Sequence, residues 1–282
     1  MARDGDFEQL DEAETGEPNS LVYCQTLQFL EIAERNPNVS VIVTTPALAR
    51  ENVSKALVVV DDPRYAFFSL YTQFHARGIG AHRIEPGIGT GCRIHPSAVV
   101  SPHARIGDRV HIGAHAVIES HVEIMDGAMI GPQAVIGAEG LVTIRHADGS
   151  LMHIAHAGGV RVGQGVEILS SAVVAKAMFH APTTIGDHSQ IGILTNIGHG
   201  ARIGARCFVA GNSVVAGRVR IGDDVWIGAS VSIAPWMTVG SGAEIKMGSV
   251  VVNAVPPGAV VSGNFAIDHK QNMRLLFRNR TS

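Results

Sequence analysis

The chain has 282 residues, enough for a sizeable core and for two domains, and 22 basic against 25 acidic residues leave a formal charge of −3. No broad basic face is implied, which argues against nucleic acid as the main partner. Glycine is abundant at 32 residues and aromatics are scarce at 5%, while Cys24, Cys92 and Cys207 are odd in number and scattered, which excludes a disulfide framework, points to no zinc motif and fits a reducing cytoplasm.

Residues 1–19 are rich in Asp, Glu and Gly, lack the apolar stretch of a signal peptide, and read as a mobile acidic tail. No later run is long and apolar enough to span a bilayer. Residues 20–85 read as a small α/β domain. Gln25 to Arg35 has helical periodicity, Val39 to Thr44 and Ala56 to Val60 are β-branched strand candidates, and Pro63 opens a helix running past Tyr65, Phe68 and Phe74 toward Gly78. Tyr23 and Phe29 lie six apart here. Such a pair can sandwich a base ring or simply fill a small core.

From Pro86 the pattern changes. Aliphatic residues recur every sixth position from Ile88 through Ile94, Val100 and Ile106 to Ile136, then at Val162, Ile168 and Val174, then from Ile185 through Ile191 and Ile197 to Val251. Neither a helix nor a strand alone repeats at six. A short strand plus a tight turn does, and three such units close one triangular coil of a parallel β-helix. A small residue often follows the aliphatic one (Gly107, Gly113, Gly204, Gly222), as expected where backbone passes a corner or adopts positive φ. Three positions per coil make about eight coils, roughly 40 Å of stack at ~4.8 Å per layer. Residues 86–263 are therefore expected to be this helix. Two excursions, Gly137 to His156 and Ala175 to Thr184, interrupt it, and loops on a rigid solenoid commonly carry function. Residues 264–282, with Lys270, Arg274, Arg278 and Arg280, read as a short basic helical segment.

His199 lies two places after an inward Ile, in Ile197-Gly198-His199-Gly200. An imidazole near neutrality can act as a general base, although a lone histidine on a solenoid surface can equally be merely solvated. Eighteen residues make a coil, so Gly217 is expected directly over His199, with the N–H groups of Ala216 and Gly217 close to it. A base and an amide donor one layer apart are the minimum for acyl transfer. Gly217 can also be a plain corner glycine. His111, His115 and His121 sit on adjacent hexads, but no closely spaced second histidine follows near His199, and no metal is expected. His146, His153, His156, His180 and Lys176 fall in the excursions and are candidates to line a cleft.

The segments Val41-Ile42-Val43-Thr44, Ala56 through Pro63, Glu139-Gly140-Leu141 through His153-Ile154 to Gly159-Val160, and Asn196-Ile197-Gly198-His199 carry a resemblance. From Ser20 to about Met273 the chain resembles the UDP-3-O-acyl-glucosamine N-acyltransferases of lipid A synthesis, within the hexapeptide-repeat, left-handed β-helix acyltransferases. The resemblance implies His199 as catalytic base, Gly217 as oxyanion donor, and Tyr23 and Phe29 holding the nucleobase with their aromatic types exchanged. It further implies a cytoplasmic homotrimer with sites between subunits. The co-substrate would be an acyl group carried on acyl-carrier protein or coenzyme A, with no permanently bound cofactor. The chain departs from the family at Trp236, where a second active-site histidine is expected, and at Ala175-Lys176, where the family has an Asp-Arg pair; both Trp236 and Lys176 are kept as substrate-binding candidates. The resemblance thus implies an N-acyltransferase acting on a nucleotide-linked amino sugar. A coenzyme A-dependent O-acyltransferase and a non-catalytic binding scaffold are the alternatives.

Overall fold

The computed structural model describes residues 5–14, 17–49, 53–79, 82–146, 148–263 and 270. Four parallel strands, β1 (Gln9–Leu10), β2 (Ser20–Cys24), β3 (Val39–Thr44) and β4 (Ala56–Val59), pair in that order. Helix α1 (Leu27–Arg35) starts where the Thr26 hydroxyl accepts the Phe29 N–H, and α2 (Pro63–Ala76) starts where Asp62 accepts the Tyr65 N–H at 3.0 Å. Proline at the first helical position costs no hydrogen bond, because that N–H has no intrahelical partner.

The acidic tail expected over 1–19 is corrected for the residues described. Gln9 and Leu10 form the edge strand, Ala13 is buried, and the buried Asp11 accepts the N–H groups of Glu12 and Glu17. Two residues of strand inside an acidic stretch leave no periodic signal. The basic helical segment expected over 264–282 falls, except for Lys270, outside the described residues.

The repeats form a triangular parallel β-helix. Its three faces are ladders of eight, nine and eight short strands. The first face runs from Gly87–Ile88 to Thr238–Val239, the second from Arg93–Ile94 to Val260–Val261, and the third from Val99–Val100 to Val250–Val251. From Ile106 to Val251 the aliphatic residue of each hexad is buried, and Ile112, Ile124, Ile136, Ile168, Ile191 and Ile197 wholly so. Burial of this kind is worth about 1.5–3 kcal/mol per side chain, and it repeats coil on coil.

The glycines after the inward residues are explained differently from the expectation. At Gly198 a Cβ would lie 2.5 Å from the Gly217 nitrogen of the next coil, and at Gly204 2.5 Å from the Gly222 carbonyl carbon. Neither has positive φ. The requirement is close coil-to-coil approach. Positive φ falls two residues later, at Gly200, Arg206, Asn212, Arg218, Asp224, Ser230 and Trp236, with values of 55–67°. The corner geometry imposes it on non-glycine residues too, at some cost.

Both excursions leave the column of corners that joins the third face to the first. The earlier one is not an open loop. It contains an antiparallel hairpin, Thr143–Arg145 with Leu151–His153, and its Ile144 and Ile154 join Met178 and Phe179 of the second excursion in one buried cluster with Leu21, Phe67, Phe68 and Tyr71. The Tyr71 hydroxyl donates to the Met178 carbonyl and accepts the Ala157 N–H. The excursions thereby fix the N-terminal sheet against the corner that carries His199.

Candidate active site

His199 sits in the turn after the strand Asn196–Ile197, on the same corner column as the excursions. The eighteen-residue arithmetic is met: a Cβ on Gly217 would lie 2.6 Å from His199 Nε2 and 2.9 Å from Cε1. Only glycine lets the ring sit under the next coil. Among the described residues the Gly217 N–H has no hydrogen-bond partner, whereas the Ala216 N–H is taken by the Ile233 carbonyl at 3.1 Å. Of the two amides expected near the base, one is therefore free to meet an incoming oxygen.

His199 Nδ1 is buried without a hydrogen-bond partner, which leaves Nε2 as the nitrogen open to chemistry. Burial holds the His199 pKa below the ordinary histidine value, so the ring is neutral at neutral pH. The His156 ring packs edge-on against it with centroids 5.3 Å apart. His156 is wholly buried, and burial, together with the His199 charge, pushes its pKa down to about 4. Its backbone N–H donates to Glu139 Oε2 at 2.9 Å, and its Nδ1 lies 3.1 Å from the same oxygen without the alignment of a hydrogen bond. Lys176 Nζ is 2.7 Å from Glu139 Oε1. Burial raises the Glu139 pKa, but the hydrogen bond and charge of Lys176 outweigh it and hold the carboxyl below its usual value. A chain Lys176–Glu139–His156–His199 thus braces the ring from behind. Sequence spacing gave Glu139 no role and His156 only a place in a cleft, because their approach depends on how the first excursion folds back.

A cavity of about 430 Å³ opens beside His199 between the β-helix corner and the N-terminal sheet. Tyr23, Phe29, His199, Arg218 and Trp236 all line it, so four of the six residues singled out from the sequence meet in one space. Gly217 touches it through the His199 ring. Lys176 does not line it; its ammonium is spent on Glu139. Tyr23 and Phe29 differ in character. Tyr23 is half-buried against Phe67 and Phe68 at 5.1 and 5.7 Å, whereas Phe29 is 42% exposed on the first turn of α1. His146 and His180 lie elsewhere, against Tyr65 at 4.3 Å and His82 at 5.6 Å.

Arg218, the residue after Gly217, had no place in the sequence reading. Its guanidinium lies 4.8 Å from the Trp236 ring centre and 5.6 Å from that of Phe179, and it pairs with Glu12. Burial lowers its pKa to about 10, so it stays charged. Trp236, standing where a histidine was expected, is a wall against this cation and supplies no second base.

Fold and site together define a repeat-built parallel β-helix with a histidine and a free amide facing one another across adjacent coils. The bacterial transferase hexapeptide family, described by its six repeats, matches residues 85–120, 103–138, 182–217 and 218–253. The matches merge into residues 85–138 and 182–253, all within the β-helix. UDP-3-O-acylglucosamine N-acyltransferase from Caulobacter sp. (strain K31) is 33% identical over 106 residues, 38% of this chain and 31% of that protein. UDP-3-O-acylglucosamine N-acyltransferase 1 from Legionella pneumophila (strain Paris) is 25% identical over 222 residues, 66% of this chain and 59% of that protein. The matches thus span less than two thirds of either relative. Among solved structures, LpxA from Acinetobacter baumannii is 25% identical with a TM-score of 0.48, covering 66% of this chain and 76% of that one.

Proposed function

We propose that the chain is an N-acyltransferase that moves an acyl group from a phosphopantetheine thioester to the amine of a nucleotide-linked amino sugar. The observation that carries this reading is the single cavity shared by His199, seated under Gly217, and the aromatics Tyr23 and Phe29. The names of the two curated relatives support an amino-sugar nucleotide as acceptor.

In this reading the nucleobase lies against Phe29 and Tyr23, which brings the sugar amine toward His199. The amine nitrogen attacks the thioester carbonyl carbon and a C–N bond forms. The carbonyl oxygen takes the negative charge and receives the Gly217 N–H. His199 Nε2 accepts the proton that the nitrogen sheds. The C–S bond then breaks, and the imidazolium returns the proton to the departing sulfur. An amide and a free thiol result. The acyl donor enters as acyl-carrier protein or coenzyme A, and no further cofactor is required. The working form is a homotrimer, closed through the valine-rich third face.

Thioester consumption measured with a UDP-linked amino sugar and with its hydroxyl counterpart tests the reading. Turnover confined to the amino sugar supports it. Turnover with the hydroxyl sugar alone would make the chain an O-acyltransferase, and none with either would leave a binding scaffold.

A further inference from the structure

The outward residues of the first face form one ladder, and its charges are arranged unequally. In the lower coils Arg105, Glu123 and Arg161 are successive partners. Glu123 reaches both arginines at 3.5 Å, so the two cations share one carboxylate. Higher up, Arg202 and Arg220 are direct neighbours in the ladder, flanked by Thr184 and Thr238. Among the described residues neither makes an ion pair. Like charges directly opposed on adjacent strands destabilise a sheet. Adjacent strands lie about 4.8 Å apart, and nothing in the packing requires arginine at two outward positions when threonine serves at the coils on either side.

Arg202 and Arg220 are not isolated on the surface. Together with Arg218 they line a cleft that also takes in Gly200, Trp236 and Glu12 and abuts the larger cavity beside His199. Three guanidinium groups therefore converge on one side of the corner that carries His199. Glu12 on the N-terminal segment is the partner of the deepest of them. A guanidinium fork matches a phosphate group well, and arginines of this kind remain charged at any working pH.

We propose that Arg202, Arg218 and Arg220 form a binding site for a phosphate-ester anion of the substrate, and that Glu12 occupies the Arg218 end of it until the anion arrives. The cluster itself defines the phosphate chemistry; which phosphate it takes rests on the acyl-transfer reading above. A diphosphate between nucleobase and sugar, and the phosphate of a phosphopantetheine arm, both carry it.

The test is calorimetric titration of the full chain with inorganic diphosphate, UDP and coenzyme A at low salt. Four proteins are compared: wild type, R202Q/R220Q, E12Q, and R105Q/R161Q as a control on the neutralised part of the same ladder. The double variant at 202 and 220 should lose at least tenfold in affinity for diphosphate, and the control should lose none. A parallel loss for UDP assigns the sugar-nucleotide diphosphate, and a loss for coenzyme A assigns the donor phosphate. Removing the opposed charges should leave the melting temperature unchanged or higher, so weaker binding cannot be laid to misfolding. E12Q should tighten diphosphate binding by loosening the resident carboxylate from Arg218. Equal losses in both double variants, or no loss in R202Q/R220Q, would overturn the site. The binding assay contains no acyl thioester, so it reads binding apart from turnover. Diphosphate binding by the wild type that is lost only in R202Q/R220Q, in a chain that shows no transferase turnover, would therefore refute the proposed function and leave this site standing.

Discussion

His199 combines a buried, unpartnered Nδ1 with an Nε2 pressed against a glycine, and each half of that arrangement has a measurable result. His199→Ala should lower turnover by ~10²–10⁴, the range for loss of a general base, while nucleotide-sugar affinity stays near wild type; near-normal turnover would remove His199 from the mechanism. Gly217→Ala keeps the N–H but places a methyl 2.6 Å from Nε2, so the ring must move. Turnover should fall by about 10²–10⁴, as when a general base is lost, because the displaced ring no longer reaches the amine. The pH dependence follows from burial. The His199 pKa lies below 6.5, so kcat/KM should be flat at neutral pH and fall only below 6.5 as the ring takes a proton. His156 acts on stability through the same physics. Folded, it stays neutral down to about pH 4; unfolded, it takes a proton below 6.5. The unfolded state binds more protons in that window, so stability drops as pH falls from 6.5 toward 4. His156→Gln should flatten that slope in thermal melts. Asp11, with its pKa raised by burial to about 6, works in the opposite direction, since here the folded state binds the extra proton.

At the scale of elements, helix α2 holds the site's two halves together through Tyr71, which bonds to Ala157 just after the first excursion and to Met178 in the second. Tyr71→Phe removes the hydroxyl that both groups share and leaves only the direct bond from the Ala157 N–H to the Met178 carbonyl at 3.1 Å, which should cost about 0.5–1.5 kcal/mol, read from denaturant unfolding followed by a probe in the N-terminal domain. These contacts also mark what the sequence made legible. A period of six has one structural solution, so the hexads announced the β-helix, and the eighteen-residue coil placed Gly217 over His199 with no other information. Glu139, His156 and Arg218 were not legible. Each acquires its role from an excursion or a terminal strand that returns from far along the chain, and no local spacing records that return. The strand Gln9–Leu10 was hidden for another reason: two residues carry no period, and the acidic composition around them outweighs it.

For the molecule as a whole, the outward side of the third face is the least polar part of the prism. Val99, Val214 and Val250 are 61%, 45% and 70% exposed, and Val117, Val135 and Val173 stand in the same ladder. Apolar patches of this kind on an isolated chain mark surfaces that are covered in the assembled protein. The expected species in light scattering is a trimer, and Val214→Glu with Val250→Glu should shift it toward monomer. An unshifted mass in that double variant would place the contact on another face.

The cluster that joins the excursions to the N-terminal sheet also constrains how the chain is made. Leu21, Phe67 and Phe68 leave the ribosome well before Ile144, Ile154, Met178 and Phe179, the residues that cover them. At ordinary elongation rates of about 5–20 residues per second, the hundred or so intervening residues take roughly 5–20 s. During that interval the nascent sheet shows a bare aromatic face, and the lower coils assemble beside it before it can be closed. Birth order alone makes this face the point at which the growing polypeptide is open to holdase chaperones, and slowing translation between Phe68 and Met178 should lengthen that exposure.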